Sequence, residues 1–458
     1  MSLDPSEAFD TLIDSVFATE TLPANVTARA QLVVQDSLGA ICAGLTLAEN
    51  DAIARAAQNG DESTIVGRPK TTTVEWATLV HGTAGTATEL DEGHALARGH
   101  PAMHILPLCL ALAEKHQCSG AAFLRAFVLG YEVAARVGMA AALRPEVHPH
   151  GTWGAVGAAV SAALLLGQDR RTMGDTARIA SSLMLAPSFQ TALDGASVRN
   201  TFAGISGQLG LTAARLAASG FKGLPSGPAE TLGRTLGSHF DPSILVQGLG
   251  ERWEIERGYF KRHACCRFNH AALDALLELR DQEHFEPQEI EHIEVATYAA
   301  AARLRNPSPS TPLAARFSIP FALATALVNR HTGPAAFDPA ALADSQVQRL
   351  AERIRVTEEA TFTALGPEQR PARVTVRLRS SRCLSAMVFG SKGDPDQPLT
   401  PKELEQKFLA LAVPILGSDR AQQVLALVAR LIDLPFITEL TRCLQARKET
   451  RFTSTGRG

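Results

Sequence analysis

Cysteine and the larger aromatics are sparse in this chain, with seven Cys, three Trp and three Tyr among 458 residues. Only Cys265 and Cys266 are neighbours and no C-x-x-C occurs, which excludes a structural zinc ribbon and thioredoxin-type chemistry. A dilute, odd number of thiols also excludes a disulfide scaffold, and the expectation is free thiols in a cytoplasmic protein. So few Trp and Tyr leave no stacking platform for single-stranded nucleic acid. Charge of one sign is missing too: 44 Lys+Arg face 47 Asp+Glu, for a net charge of −3. No global basic field exists to hold nucleic acid or an anionic membrane. The longest strongly apolar run, 156–166, is too short to span a bilayer. The start, MSLDPSEAFD, has neither the basic nor the apolar region of a secretory signal. There is no G-x-S-x-G, no phosphate-binding G-x-x-x-x-G-K-[ST], no HExxH and no repeat of 20–50 residues.

What remains is apolar periodicity. With 45% hydrophobic residues, the chain can bury one large core or several. Asp4-Pro5 predicts a capped helix over 6–18, and spacings of 3 and 4 predict helices over 27–43, 75–90, 105–116 and 120–142. The run GAVGAAVSAALLL (154–166) is small and apolar all round, as is 204–218, which suits helices in the middle of a bundle. A further helix is expected over 270–280. The period then changes: IEHIEVATYA alternates as a strand, and ARVTVRLRSSRCLSAMVFG gives two alternating runs with a turn at 380–382. Helices over 321–329 and 345–352 lie between them, GSKGDPDQPLTPKE reads as a linker, and helices return over 401–412 and 419–431. After Ala446 the tail is polar and is expected to fray. The fold class expected is mainly α with an inserted α+β domain. A helical domain (1–266) is joined by C-terminal helices (397–458), and the smaller α+β lid covers 267–396.

Histidine is where the chemistry gathers. Eight of thirteen fall in three short segments beside Gly or Pro: His81, His94, His100 and His104; His148 and His150; His263 and His270. Loops on a helical scaffold are the usual seat of chemistry, and imidazole moves protons near neutrality. In ELDEGHALARGHPAMH, Glu89, Asp91 and Glu92 crowd His94, Arg98 and His100, which suits proton transfer. A solvated loop and a metal site through His100 and His104 are the alternatives, with Pro101 disfavouring helical geometry for the latter. HPHGTWG offers His148 and His150 ahead of a helix start, or simply a turn with Thr152 as cap. Arg199 in SVRNTF can fork onto a carboxylate or pair with a neighbouring acid. The spacing of Gly204, Gly207 and Gly210 suits close helix packing and not a nucleotide fingerprint. Lys261, Arg262 and Arg267 surround His263 and His270 near the junction of the domains. The adjacent cysteines read as buried packing residues more than as nucleophiles. Together these residues suggest proton transfer on an anionic substrate.

Four segments, ELDEGH…GHPAMHILPLCLALAE, HPHGTWGAVGAA, VRNTFAGISGQLGLTAARLAASGF and FKRHACCRFNHAALDA, resemble the MmgE/PrpD family, whose branches include 2-methylcitrate dehydratase, cis-aconitate decarboxylase and iminodisuccinate epimerase. RFSIPFALATAL and KGDPDQPLTPKELEQKF fit its later half. The resemblance implies a homodimer with a cleft between two domains and no metal or organic cofactor. It also implies a proton taken from, or given to, a carbon next to a carboxylate. It marks His100 and His148 as catalytic or substrate-contacting, Asp91 as part of the acidic motif, and Lys261 as a basic junction residue. The chain departs from the family pattern at Arg199, where Lys is common, and at Phe321 (Tyr), Gly93 (Thr) and His150 (Thr). The expected activity is a lyase that eliminates water from a small di- or tricarboxylic acid. His100 or His148 would be the base; the other, or a carboxyl of the 89–92 run, would be the acid. Arg199, Lys261, His150, His94 and His263 would contact substrate. An epimerase, a decarboxylase, a metal hydrolase and a non-catalytic ligand-binding helical protein are the alternatives.

Overall fold

A computed structural model describes residues 3–446; the tail after Ala446, expected to fray, lies outside the described residues. The protein is mainly helical with a small α+β part. Among the described residues no single helix is long and apolar enough to cross a membrane.

The small-residue helix Gly154–Leu165 sits in the middle of a bundle formed with Pro101–Lys115, Gly120–Ala140, Arg170–Leu183 and Phe202–Ala218. Glycine makes that position possible: a Cβ on Gly157 would lie 2.4 Å from the carbonyl oxygen of Gly130. Any larger residue there would push the two helices apart, against an interior packed at crystal-like density.

Two large hydrophobic cores form, beside a small cluster around Ala159, Ile179 and Ala213. One draws on residues 8–260 and 399–444, and the other mainly on 264–378. The helix Pro101–Lys115 belongs to the first, as does Pro401–Leu416, which packs along Ala24–Gly44. There Lys407 donates to Asp36 Oδ1 at 2.6 Å and to the Leu90 carbonyl at 2.8 Å. The helix Pro401–Leu416 thereby clamps the loop that starts the acidic motif.

The second core is a four-stranded sheet in the order Cys383–Val388, Ala372–Leu378, Ile290–Thr297, Ile354–Glu358. The first three are antiparallel neighbours and Ile354–Glu358 runs parallel to Ile290–Thr297. Buried and exposed residues alternate along Ala372–Leu378, and the buried face meets the helix His270–Glu283. The hairpin turns where Ser381 adopts φ 66°, within the predicted turn.

Several elements differ from expectation. Pro101 begins its helix instead of excluding it, because the first helical position needs no N–H and favours the proline φ. That helix therefore starts four residues early and carries His104 inside its first turn. The helix over 120–142 stops at Ala140, and Ala141–Leu143 instead pairs with Gly237–Phe240. Thr152 is not the cap of the next helix; its hydroxyl closes the turn onto the Pro149 carbonyl. The GSKGDPDQPLTPKE segment is more than a linker, since Gly393 accepts the Phe260 N–H and Asp394 pairs with Arg267. The ribbon Gly93–His94 with Gly258–Tyr259 has no periodicity to announce it, being two residues long on each side.

Candidate active site

The helix Val74–Ala87 ends and the chain turns at Glu89, a non-glycine residue at φ 53°. Such a left-handed residue costs roughly 1–3 kcal/mol and is held only when its surroundings over-determine it. Here two cations do so: Arg199 Nη2 lies 2.5 Å from Glu89 Oε1 and Lys261 Nζ lies 2.8 Å from Oε2. The chain then passes Asp91, whose Oδ1 is 3.3 Å from the same ammonium, and enters the short ribbon with Gly258–Tyr259. That pairing brings Lys261, two residues past the ribbon, under the acidic motif. His94 and Gly99 exchange backbone hydrogen bonds of 2.8 and 3.3 Å, closing a tight loop with Arg98 at φ 57°. His100 follows as the cap residue of Pro101–Lys115.

His100 Nδ1 faces oxygens only: the Glu92 carbonyl at 2.7 Å and Asp91 Oδ2 at 3.2 Å. It therefore carries the proton, and the lone pair is left on Nε2. Burial pushes the imidazole below its ordinary pKa, partly opposed by Asp91, so the ring is neutral at pH 7 and free to accept a proton. His148 is different. Its Nδ1 accepts the His150 backbone N–H at 3.0 Å, and its Nε2 faces the Arg199 Nε–H at 3.3 Å. Both nitrogens meet donors, and burial together with Arg199 pushes the pKa well below 6.5. His150 packs edge-on to His100, His104 and His148, with ring centroids 4.8–5.0 Å apart, and its Nδ1 has no partner among the described residues.

His100, His148, His150 and Arg199 thus line one small cavity of about 50 Å³, with Glu89 and Tyr259 in the same wall. Larger hollows, such as the one of about 510 Å³ beside Arg420, carry no histidine. Asp91 and Lys261 stand behind this wall, ordering His100 and Glu89. In Glu89, burial acts to raise the pKa, but Arg199 and Lys261 outweigh it and hold the carboxyl ionised. In Lys261, burial acts to lower the pKa, and Asp91 and Glu89 reverse the sign.

Four expected site residues do not line the cavity: Asp91 and Lys261 stand behind its wall, so Lys261 is not placed to contact substrate directly, and His94 and His263 are held elsewhere. His94 Nε2 lies 3.2 Å from Glu254, away from the cavity. His263 is held between Thr332 Oγ1 at 2.7 Å and Asp274 Oδ1 at 3.0 Å. Phe321, one of the departures from the family pattern, is buried against Phe337, and Phe317, four residues earlier, lines the cavity together with Phe189 and Phe268. Cys266 reaches the cavity, but burial pushes its thiol up to about 11, which leaves it protonated and unreactive.

Tyr259 is the site residue that sequence reasoning missed. A Cβ on Gly93 would lie 2.4 Å from the Tyr259 hydroxyl, so the missing side chain at 93 is what admits the phenol. Burial pushes that phenol up to about 12, with Lys261, Arg370 and Arg267 pulling the other way. Its scarcity, three tyrosines in the chain, and its place two residues before Lys261 were the available signals.

Asp91, His100 and His150 each offer a donor atom within 4.8 Å of the others, a set with the chemistry to hold a metal ion. However, Lys261 and the His100 N–H already share that carboxylate, and the Lys261 ammonium beside it opposes a dication.

The sequence matches the MmgE/PrpD N-terminal domain over residues 15–235 and the MmgE/PrpD C-terminal domain over 263–432. Among similar proteins are a cis-aconitate decarboxylase-like protein, oryM, of Aspergillus oryzae (24% identical, covering 88% of this chain and 89% of that one) and a cis-aconitate decarboxylase of Aspergillus terreus (23% identical, 94% of each). The cis-aconitate decarboxylase of Homo sapiens is 24% identical over 96% of this chain and 94% of its own.

Proposed function

This chain belongs to the MmgE/PrpD family, and from that premise we propose that it is a cofactor-independent lyase that eliminates water from a small di- or tricarboxylic acid. The observation that carries the proposal is His100, with Nδ1–H anchored on the Glu92 carbonyl and Asp91 and Nε2 unprotonated in a cavity that also holds Arg199. Arg199 binds a substrate carboxylate. His100 Nε2 takes a proton from the carbon next to it, and the electron pair of that C–H bond forms the new C=C. The β-hydroxyl leaves with the Tyr259 proton as water, and Lys261, Arg267 and Arg370 stabilise the phenolate left behind. His148 serves as a polar wall and not as the base, since protonating it would set a cation against Arg199.

The similarity to cis-aconitate decarboxylases favours a second outcome, loss of CO₂ followed by protonation of the carbanion. Incubating the enzyme with a set of hydroxy and unsaturated di- and tricarboxylates in D₂O separates the routes. An absorbing alkene formed without CO₂ supports dehydration, and CO₂ release supports decarboxylation instead. Deuterium exchange without net product is the signature of an epimerase, and binding with neither exchange nor turnover that of a ligand-binding protein. The homodimer implied by the family is part of the proposal, and the mass in solution tests it.

A further inference from the structure

Resting on the carboxylate-lyase proposal above, we propose that the mouth of the site is a second anion subsite, which takes the carboxylate remote from the reacting carbon.

The inner cavity opens toward an outer one of about 310 Å³, and the two share Arg98, Phe268 and Arg370 in their walls. Charges are balanced deep in the site, where Arg199 and Lys261 face Glu89 and Asp91. They are not balanced at the mouth. Arg98, Arg267 and Arg370 converge there, and among the described residues their one carboxylate partner is Asp394, which takes Arg267 alone. Among the described residues no carboxylate lines the outer cavity, and Glu89, already doubly paired, is the one acid lining the inner.

Two of the three arginines are fixed from behind, while Arg98 is exposed at the rim. Arg370 donates to the Ala95 carbonyl at 2.7 Å and lies over the Phe268 ring. Arg267 is 4% exposed, lies over Tyr259, and has its Nη1 without a partner among the described residues. In the outer wall the Tyr298 hydroxyl is buried and also unpartnered. A buried guanidinium N–H and a buried phenol left unmatched are costly unless a ligand completes them. An oxyanion bound between Arg98 and Arg370 would supply the missing negative charge, and two guanidiniums suit the planar geometry of a carboxylate. The inner 50 Å³ holds little more than one such group, since a water needs ~10–15 Å³ on this scale, so the rest of a tricarboxylate must extend outward.

Calorimetric binding of propane-1,2,3-tricarboxylate and of butanoate to the wild type, Arg98→Gln and Arg370→Gln tests this. Each variant keeps the buried Arg267 and removes one mouth charge. The expected result is tricarboxylate affinity weakened about tenfold or more in each variant, with butanoate binding unchanged in both and melting temperature unchanged in Arg98→Gln, the variant that breaks no contact. Unchanged tricarboxylate affinity in both variants, or an equal loss for butanoate, overturns the subsite. The lyase proposal fails separately: tight, arginine-dependent binding with no turnover of any polycarboxylate sinks that proposal and leaves the subsite standing.

Discussion

Arg199 aims its Nε–H at His148 Nε2, 3.3 Å away, although the opposite nitrogen of that ring already accepts a backbone N–H. A neutral imidazole has one acceptor nitrogen, so this ring is surrounded by more donors than it can satisfy and cannot easily gain a proton. His100, facing acceptors through Nδ1, has the opposite bias. The two histidines should therefore separate in kinetics. His100→Gln is expected to lower kcat by about 10²–10⁴, the usual size of a general acid–base contribution. His148→Gln should act mainly on KM, with kcat within about tenfold of wild type. Steady-state kinetics on both, with circular dichroism to check the fold, decides between them.

The pH dependence follows from the same ring. Because burial lowers the His100 pKa below 6.5 and the base form is the active one, kcat/KM should be flat above pH 6.5. It should fall as pH drops through a value below that. In Asp91→Asn the counter-charge that partly opposes the shift is gone, so the acid limb should move to still lower pH, as a pH–rate profile would show.

Tyr259 and Gly93 form one unit. Gly93→Thr, which restores the hydroxyl of the family pattern, drives a Cβ into the phenol and should displace it or strain the ribbon. Tyr259→Phe is expected to cut kcat at least tenfold while leaving the melting temperature near wild type. If Gly93→Thr lowers activity in the wild-type background but not in Tyr259→Phe, the double-mutant cycle places the effect on the phenol.

Stability should also depend on pH in both directions. His81 and His104 are pushed down to about 4 by burial, against about 6.5 in the unfolded chain. The unfolded state binds more protons below 6.5, so their contribution is full above that pH and is lost as pH falls toward 4. Glu92, pushed up to about 8 by burial, has the opposite sign. Its contribution is present below its unfolded value near 4.5 and is lost as pH rises through 8. Where the limbs overlap the two histidines outweigh the one glutamate, so these groups put the maximum of the urea midpoint near pH 6.5, and Glu92→Gln should flatten the alkaline limb.

How much of this was legible depended on the range of each signal. The histidine clusters, the acidic run and the two Gly-rich helices are local, and His100, His148, His150 and Arg199 meet in one cavity as their segments suggested. The strands around the 380–382 turn were equally plain, because a half-buried strand prints its faces as alternation. His94 and His263 sit in the same segments but spend their nitrogens on Glu254, Asp274 and Thr332, which spacing cannot reveal. Arg370 reaches Ala95 across 275 residues, so nothing near it in sequence marks it as a site residue. Tyr259 depends on the absence of a side chain at 93, a relation that exists only across the ribbon.

Solvent exchange tests the central claim most directly. Proton NMR in D₂O follows the hydrogen on the carbon next to the carboxylate in a turned-over polycarboxylate, with wild-type enzyme and with His100→Gln. The account predicts that this hydrogen is lost or exchanged with wild type and that the rate falls at least a hundredfold in the variant. Exchange by folded His100→Gln at the wild-type rate would contradict it.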